Sequence, residues 1–199
     1  MSTNKLLKMC SDLDFSIEDA ENLFKQVNIN KPFYDKYGFL TTFLNEAIDE
    51  ENLKMVEVLL KNGADPNLIF DGGAVLWDLQ YTAYPDEEFS LSKIADNSDE
   101  NRLKMAQILL NYGANPNIVI DKESLFSYVH YVVFNDEDTQ RQSAYRTRFF
   151  ILLIAYGGCE KWCKPKIIKK FDKSKMSSYH LNGFKILDEN DEVIAEIWY

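Results

Sequence analysis

The chain has 199 residues, of which 46% are hydrophobic, and a formal net charge of −10. The apolar content argues against disorder over most of the length, and the acidic balance disfavours nucleic acid as a partner. The three cysteines are too few for a disulfide framework, so we expect a reducing, cytoplasmic compartment.

We expect no attachment to a membrane. The longest apolar run covers 149–156, well short of the roughly 20 residues that a spanning helix needs. The first 15 residues carry Asp12 and Asp14 and contain no apolar core of an export signal.

Residues 1–39 predict a degenerate pair of helices at the N-terminal end. The segment 16–27 begins with Ser16, a favourable N-cap, followed by Glu18 and Asp19 in the first turn. Acidic residues there complement the helix dipole, so we expect a helix and assign 1–39 to an N-terminal cap.

Two later segments repeat each other. Residues 53–67 (LKMVEVLLKNGADPN) and 103–117 (LKMAQILLNYGANPN) are identical at nine of fifteen positions at an offset of 50 residues, and 149–158 is a weaker third copy. Apolar residues at helical spacing predict a helix in each copy. Gly63 and Gly113 follow the last helical residue, where a left-handed C-cap favours glycine.

A second, leading helix precedes each copy. The three segments are 42–48, 74–81 and 124–131, and Thr42 and Ser124 are suited to capping two of them. The unit is therefore a loop, a helix, a short turn, a second helix and a Gly-Ala-x-Pro-Asn exit.

The runs Gly-Ala-Asp-Pro-Asn at 63–67 and Gly-Ala-Asn-Pro-Asn at 113–117, with the Leu-Leu pairs 59–60 and 109–110, resemble the ankyrin repeat family. That family repeats about every 33 residues, and the first two leading helices are offset by 32. The offset of 50 implies an insertion at 81–100, with a smaller one at 135–143. The family's Thr-Pro-Leu-His signature is not kept.

The resemblance implies a mostly α fold, an ankyrin-like solenoid of stacked helix-turn-helix units over 40–158. Residues 159–199 lie beyond the repeats, and we expect them to form a C-terminal cap. It would contain a short helix at 165–171 and a β-hairpin from 184–187 and 193–199. An exposed edge at 193–199 would allow self-association, although we favour a monomer.

No catalytic, cofactor or metal site is predicted. Cys10, Cys159, Cys163 and His180 could bind zinc only if both ends of the chain met, so we expect buried thiols. His130 is expected to be a packed residue, and the basic segment 161–175 a solvated helix face. An enzymatic alternative would use the only clustered ionisable groups near the C-terminus, which are Glu160, His180, Asp188 and Glu192.

The resemblance places a partner-binding surface at repeat-equivalent loop tips and leading-helix positions. The loop-tip residues are Tyr37, Phe39, Ile69, Phe70, Asp71, Val119, Ile120 and Asp121. The helix residues are Glu46, Asp49, Asp78, Tyr81, Tyr128 and Tyr131. Aromatic residues are enriched in interfaces, whereas the alternative is that the apolar tips pack on one another.

These observations favour a non-enzymatic module that binds another protein through a concave face. An acidic surface would speed encounter with a basic partner. Small acidic proteins of this kind are similar to bacterial immunity proteins, so we expect a role in masking a toxin. The alternative in the same class is a generic scaffold or regulator.

Overall fold

Helices form most of the structure. The structure is a computed structural model that describes residues 2–35, 37–70, 72–81, 93–135, 140–159, 166–167 and 172–196. The chain is about 51% helical, which confirms the mostly α prediction. It divides into two units: residues 1–79 with 100–114, and residues 80–99 with 115–199. The stacking of all repeats into one solenoid stays a prediction.

The first unit contains two helix pairs and two further helices. Its elements are α1 (Ser2–Cys10), α2 (Ile17–Phe24), β1 (Phe33–Tyr34), β2 (Leu40–Thr41), α3 (Phe43–Asp49), α4 (Leu53–Lys61), α5 (Val75–Asp78) and the part of α6 (Lys93–Asn111) from residue 100 onward. Helix α1 packs against α2 and α3, and α3 packs against α4.

The predicted N-caps of α2 and α3 are confirmed. Ser16 Oγ accepts a hydrogen bond from the Asp19 amide at 3.3 Å, and Thr42 Oγ1 accepts from the Asn45 amide at 3.3 Å. Each bond satisfies one of the amides that a helix start leaves without an intrahelical partner.

Helix α4 is capped by Asn52, which the sequence analysis did not identify. Asn52 Oδ1 accepts from the Met55 amide at 3.0 Å, while Nδ2 donates to the Cys10 carbonyl at 3.0 Å. The side chain is fully buried. Asn52 therefore joins the start of α4 to the end of α1.

The predicted glycine ends of the helices are confirmed, and we call this arrangement the exit turn. The Gly63 amide donates to Leu60 O at 3.1 Å and the Ala64 amide to Leu59 O at 3.0 Å, with Gly63 at φ +91°. This pair of bonds is the Schellman motif. The same two bonds recur at 113–114 in the first unit and at 157–158 in the second.

The glycine carbonyl of each exit turn accepts a hydrogen bond from the side chain of an asparagine earlier in the chain. The side-chain amides donate from Asn30 to Gly63 O at 2.9 Å, from Asn67 to Gly113 O at 2.9 Å, and from Asn117 to Gly157 O at 3.3 Å. The Oδ1 atoms of Asn30 and Asn117 also accept backbone amides, from Asp65 and Cys159.

Short hairpins precede the leading helices. In the first unit β1 pairs with β2, and Phe70 forms an isolated bridge with Gly73. In the second unit β3 (Val119–Ile120) pairs with β4 (Glu123–Ser124), and then come α7 (Leu125–Asn135) and α8 (Gln140–Ala155), which pack together. Ser124 Oγ accepts from the Ser127 amide at 3.1 Å, as predicted for an N-cap.

The end of the second unit is a four-stranded antiparallel sheet. It contains β5 (Lys166–Ile167), β6 (His180–Asn182), β7 (Lys185–Leu187) and β8 (Val193–Glu196) in the order β5-β8-β7-β6, and a 3₁₀ helix (Lys173–Ser178) precedes β6. The expected hairpin is therefore the β7–β8 pair within a larger sheet.

Two expectations for this region are wrong. Residues 166–167 form a strand rather than part of a helix over 165–171, and β-branched residues such as Ile167 favour strands. Strand β8 is not an edge, because β5 pairs with it at Ile167 and Ala195 while β7 lies on its other side. Residues 197–199 lie outside the described part of the chain.

The insertions are described only in part. Helix α6 begins at Lys93, ten residues before the repeated segment at Leu103, so the end of the 81–100 segment is helical. Helix α5 covers only 75–78 of the predicted 74–81 segment, and Ala74 provides no side-chain cap. Residues 82–92 and 136–139 are not among the described residues.

Candidate functional site

Most of the expected loop-tip residues are accessible to solvent. Tyr37 is 72% exposed and Phe39 is 69% exposed, and Ile69 and Val119 are about half exposed. The residues Phe70 and Ile120 are half-buried, Asp121 is exposed, and Asp71 lies outside the described residues. The alternative that Ile69, Phe70, Val119 and Ile120 pack on one another stays a prediction.

The first loop tip is held by its own hydrogen bonds. Asp35 Oδ1 accepts from the amides of Tyr37 and Phe39, both at 2.8 Å, and the Asp35 amide donates to Phe39 O at 2.9 Å. Below the tip, the Phe33 ring lies 4.8 Å from the Phe43 ring of α3. The tip therefore presents its aromatic side chains on a fixed backbone.

Glu46 lies on α3 beside this hairpin. Partial burial raises the pKa of its carboxyl above the ordinary value, a hydrogen bond with Thr41 of β2 opposes that shift, and nearby Asp49 and Asp35 add to it. Thr41 belongs to β2, the strand that pairs with β1 in the hairpin.

The structure brings Asp49 and Asp78 together in the first unit. Burial raises the pKa of both carboxyls, and the charge of Asp78 raises that of Asp49 further. Arg102 of α6 lowers both pKa values and donates from Nη2 to the Asp78 carbonyl at 2.7 Å. Glu46, Asp49 and Asp78 thus form an acidic group that contains one arginine.

The equivalent positions in the second unit have a different character. Burial raises the pKa of the Tyr128 hydroxyl, and a hydrogen bond with Tyr81 raises it further. The Arg146 guanidinium lies 5.8 Å from the centre of the Tyr81 ring. Tyr131 is 61% exposed. This group is aromatic and cationic rather than acidic.

Three residues of these surfaces were missed by the sequence analysis. Tyr34 of β1 is 74% exposed, and Arg102 and Arg146 lie beside the predicted helix positions. Pairing of 33–34 with 40–41 across the turn at Gly38 could have identified Tyr34. The arginines come from distant segments, and no local pattern indicates them.

The C-terminal residues expected for an enzymatic site have other roles. Asp188 Oδ1 accepts from the amides of Asn190 and Glu192 and closes the β7–β8 turn. His180 Nε2 lies 3.2 Å from Asp191 Oδ1, and Glu160 is not described.

The remaining candidates show packing roles where the structure describes them. His130 stacks on Phe150 and contacts Phe134. Cys10 is buried, and burial raises the pKa of its thiol to about 12, whereas Cys159, expected to be buried in the C-terminal cap, is only half-buried. No group of three or more His, Cys, Asp or Glu side chains that could hold a metal ion occurs among the described residues, which do not include Cys163.

The basic segment 161–175 is described only at 166–167 and from residue 172 onward. There, the Lys173 ammonium lies 3.6 Å from the centre of the Tyr156 ring. Within the part of the chain that the structure describes, no helix has the length and apolarity needed to cross a bilayer.

Comparison with protein families gives a match to the ankyrin repeat over residues 41–70, which cover β2, α3, α4 and the first glycine exit turn. Comparison with curated proteins gives no match. Ankyrin repeats are typically non-enzymatic modules of protein–protein interaction. Residues 41–70 are therefore similar to an ankyrin repeat, and the same exit turn recurs after them at 113–114 and 157–158.

Proposed function

We propose that the chain binds a basic protein through its loop tips and leading-helix positions, and that it masks this partner as an immunity protein masks a toxin. The observation that carries the proposal is the exposure of Tyr37, Phe39 and Tyr131 on elements held by internal hydrogen bonds. A surface already ordered before binding loses little conformational entropy on association.

Charge supports a basic partner. The chain has a net charge of −10, and within the first unit the charge of Asp78 raises the pKa of Asp49. Complementary charge raises association rates and discriminates against acidic proteins, which suits an inhibitor that must capture its target quickly.

Site-specific photo-crosslinking in the source cell tests the surface. The benzophenone amino acid p-benzoylphenylalanine would replace Phe39, Tyr131 or, as a control of matched exposure, Leu13, which is 66% exposed. We expect one protein with a basic isoelectric point to crosslink at positions 39 and 131 but not at 13. Equal crosslinking at all three positions, or none at 39 and 131, would reject the proposed surface.

The masking role needs a separate measurement. The crosslinked protein would be expressed alone and together with this chain, and growth of the host would be followed. We expect the partner to arrest growth when alone and co-expression to restore it. A partner that leaves growth unaffected would reject the immunity role and favour a scaffold or regulator, while the binding surface would stand.

A further inference from the structure

The turn of the β3–β4 hairpin holds two residues in a backbone conformation that side chains disfavour. Asp121 and Lys122 connect Ile120 to its partner Glu123, and their φ angles are +50° and +73°. In this left-handed region the Cβ atom lies too close to a backbone carbonyl. Aspartate tolerates the conformation better than most residues do, so Lys122 is the more strained of the two.

The turn at 70–73 shows that the fold does not require a lysine at this place. There Phe70 and Gly73 exchange backbone hydrogen bonds of 3.2 and 2.9 Å, at an offset of 50 residues from the β3–β4 pairing. Gly72, the counterpart of Lys122, has a φ of +76°. Glycine adopts this conformation without the steric cost, so the same turn forms more favourably with glycine than with lysine.

Lys122 makes no contact within the chain that would offset this strain. Its side chain is exposed and forms no hydrogen bond, ion pair or ring contact in the part of the chain that the structure describes, although Asp121 and Glu123 flank it. A lysine that only improves solubility needs no left-handed backbone, since Lys8 is also exposed at an ordinary position of helix α1. Strained residues cluster at sites of function.

We propose that Lys122 contacts a carboxylate of the protein partner and thereby discriminates among basic proteins. This inference rests on the proposed function and names a residue that determines its specificity. A basic protein without a carboxylate at this point would bring positive charge against the Lys122 ammonium. Like charges that meet in an interface disfavour the wrong partner.

The flanking charges favour a single carboxylate over other anions. Two carboxylates, Asp121 and Glu123, and one ammonium leave the turn with a net charge of −1, and the whole chain carries −10. A phosphate group of charge about −2, or a nucleic-acid backbone, would be repelled more strongly than one carboxylate. Val119 of β3 is 53% exposed and provides apolar surface in the same hairpin, which strengthens an ion pair by excluding water.

Zero-length crosslinking of the tagged full chain in an extract of the source cell tests the contact. A water-soluble carbodiimide joins an ammonium group directly to a carboxylate that touches it, and mass spectrometry identifies the coupled peptides. We expect the peptide that contains Lys122 to couple to a carboxylate of another protein, and the peptide that contains Lys8 not to do so. No intermolecular coupling at Lys122, or equal coupling at both lysines, would overturn the proposal.

Three variants separate binding from strain, with binding measured by calorimetry against the purified protein that couples at Lys122. Lys122→Ala keeps the Cβ atom and should bind about three- to tenfold more weakly at unchanged stability. Lys122→Arg keeps the charge and should bind as the natural chain does. Lys122→Gly should bind as weakly as Lys122→Ala but raise the melting temperature by about 2–4 °C, because the strain is removed.

The reverse change is Gly72→Ala, in which the new Cβ atom would have no other atom within 4 Å. Its left-handed φ alone should lower the melting temperature by about 2–4 °C. An unchanged melting temperature for Lys122→Gly would mean that the turn is not strained. Unchanged binding by Lys122→Ala would mean that the ammonium group makes no contact, and either result overturns the proposal.

The outcome at Lys122 is separable from that of the proposed function. Photo-crosslinking at positions 39 and 131 without carbodiimide coupling at Lys122 would leave the proposed function standing and reject this inference. Absence of crosslinks at all three positions would reject both.

Discussion

The two units end their repeated helices with the same hydrogen bonds but differ in the residue after the glycine of the exit turn. In the first unit that residue is Ala64 or Ala114, and in the second it is Gly158. The leading helices differ as well, with Glu46 and Asp78 in the first unit where the second has Tyr128. The two units therefore share the backbone hydrogen bonds of the exit turn and differ in side-chain packing and in surface chemistry.

The largest expected effect is at the exit turn of the second unit. In Gly158→Ala the new Cβ would lie 2.6 Å from Phe126 Cδ2 and 2.8 Å from Leu153 O. Phe126 is fully buried and a carbonyl cannot move away from its helix, so we expect a loss of about 3 kcal/mol of unfolding free energy. Urea denaturation of the full chain measures it.

The matched control is Gly73→Ala, whose nearest contact would be Phe70 O at 3.8 Å. It should change stability by less than about 1 kcal/mol. If Gly158→Ala is tolerated as well as Gly73→Ala, the second unit can accept the alanine found in the first, and the proposed packing difference does not exist.

A smaller effect is expected for the asparagine links, which the two units share. Asn67→Ala removes the bond to Gly113 O in the first unit, and Asn117→Ala removes the bond to Gly157 O in the second. Each should lower the unfolding free energy by about 1 kcal/mol, the net value of a typical hydrogen bond, because water can reach the carbonyl that loses its partner.

The control for these links is Asn62→Ala, because Asn62 Nδ2 donates to Val58 O within its own helix. We expect about 0.5 kcal/mol there, since this bond joins residues four apart in one helix and holds no distant segment in place. A loss for Asn62→Ala as large as that for Asn67→Ala would show that the links between exit turns have no special weight.

The acidic residues of the first unit predict that the free energy of unfolding depends on pH. Burial raises the pKa of Asp49 and Asp78, so the folded state binds their protons more tightly than the unfolded state does. Their contribution to stability is therefore unfavourable above the raised pKa and is relieved as the pH falls towards the unfolded value of about 3.9.

The double variant Asp49→Asn, Asp78→Asn removes this contribution. At pH 7 we expect it to be more stable than the natural chain by about 0.5 kcal/mol, a value that allows for solvent screening of exposed groups. The gain should vanish below about pH 4. A stability difference that stays constant or grows as the pH falls would contradict the assignment.

The sequence allowed prediction of features set by neighbouring residues. A glycine after an apolar helical run indicates a left-handed C-cap, and Gly63 and Gly113 have it. The partner of Asn67 could not be predicted, because Gly113 lies 46 residues away and only the fold brings them together.

Prediction of the candidate surface from the sequence was limited in the same way. Repeat alignment identified Tyr37 and Phe39, whose exposure the structure shows, since position within a repeat fixes which side chains face outward. It could not supply Arg102 or Arg146, which reach these surfaces from other helices. Outside the repeats, the local sequence indicated a short helix over 165–171, whereas pairing with β8 makes Lys166–Ile167 a strand.

The smallest expected effect concerns the tyrosines of the second unit and leaves stability nearly unchanged. Tyr81→Phe keeps a ring beside the Arg146 guanidinium but removes the hydroxyl that bonds to Tyr128. The pKa of Tyr128 should fall towards its ordinary value yet remain above it, because burial is the larger cause of the shift. The ¹³Cζ resonance of Tyr128, followed by NMR through alkaline pH, reports this change. The control is Tyr131→Phe, at an exposed position one helical turn away, which should leave the pKa of Tyr128 unchanged. If Tyr81→Phe also left the pKa of Tyr128 unchanged, the hydroxyls of Tyr81 and Tyr128 would not interact. The second unit would then present separate tyrosines rather than a coupled group.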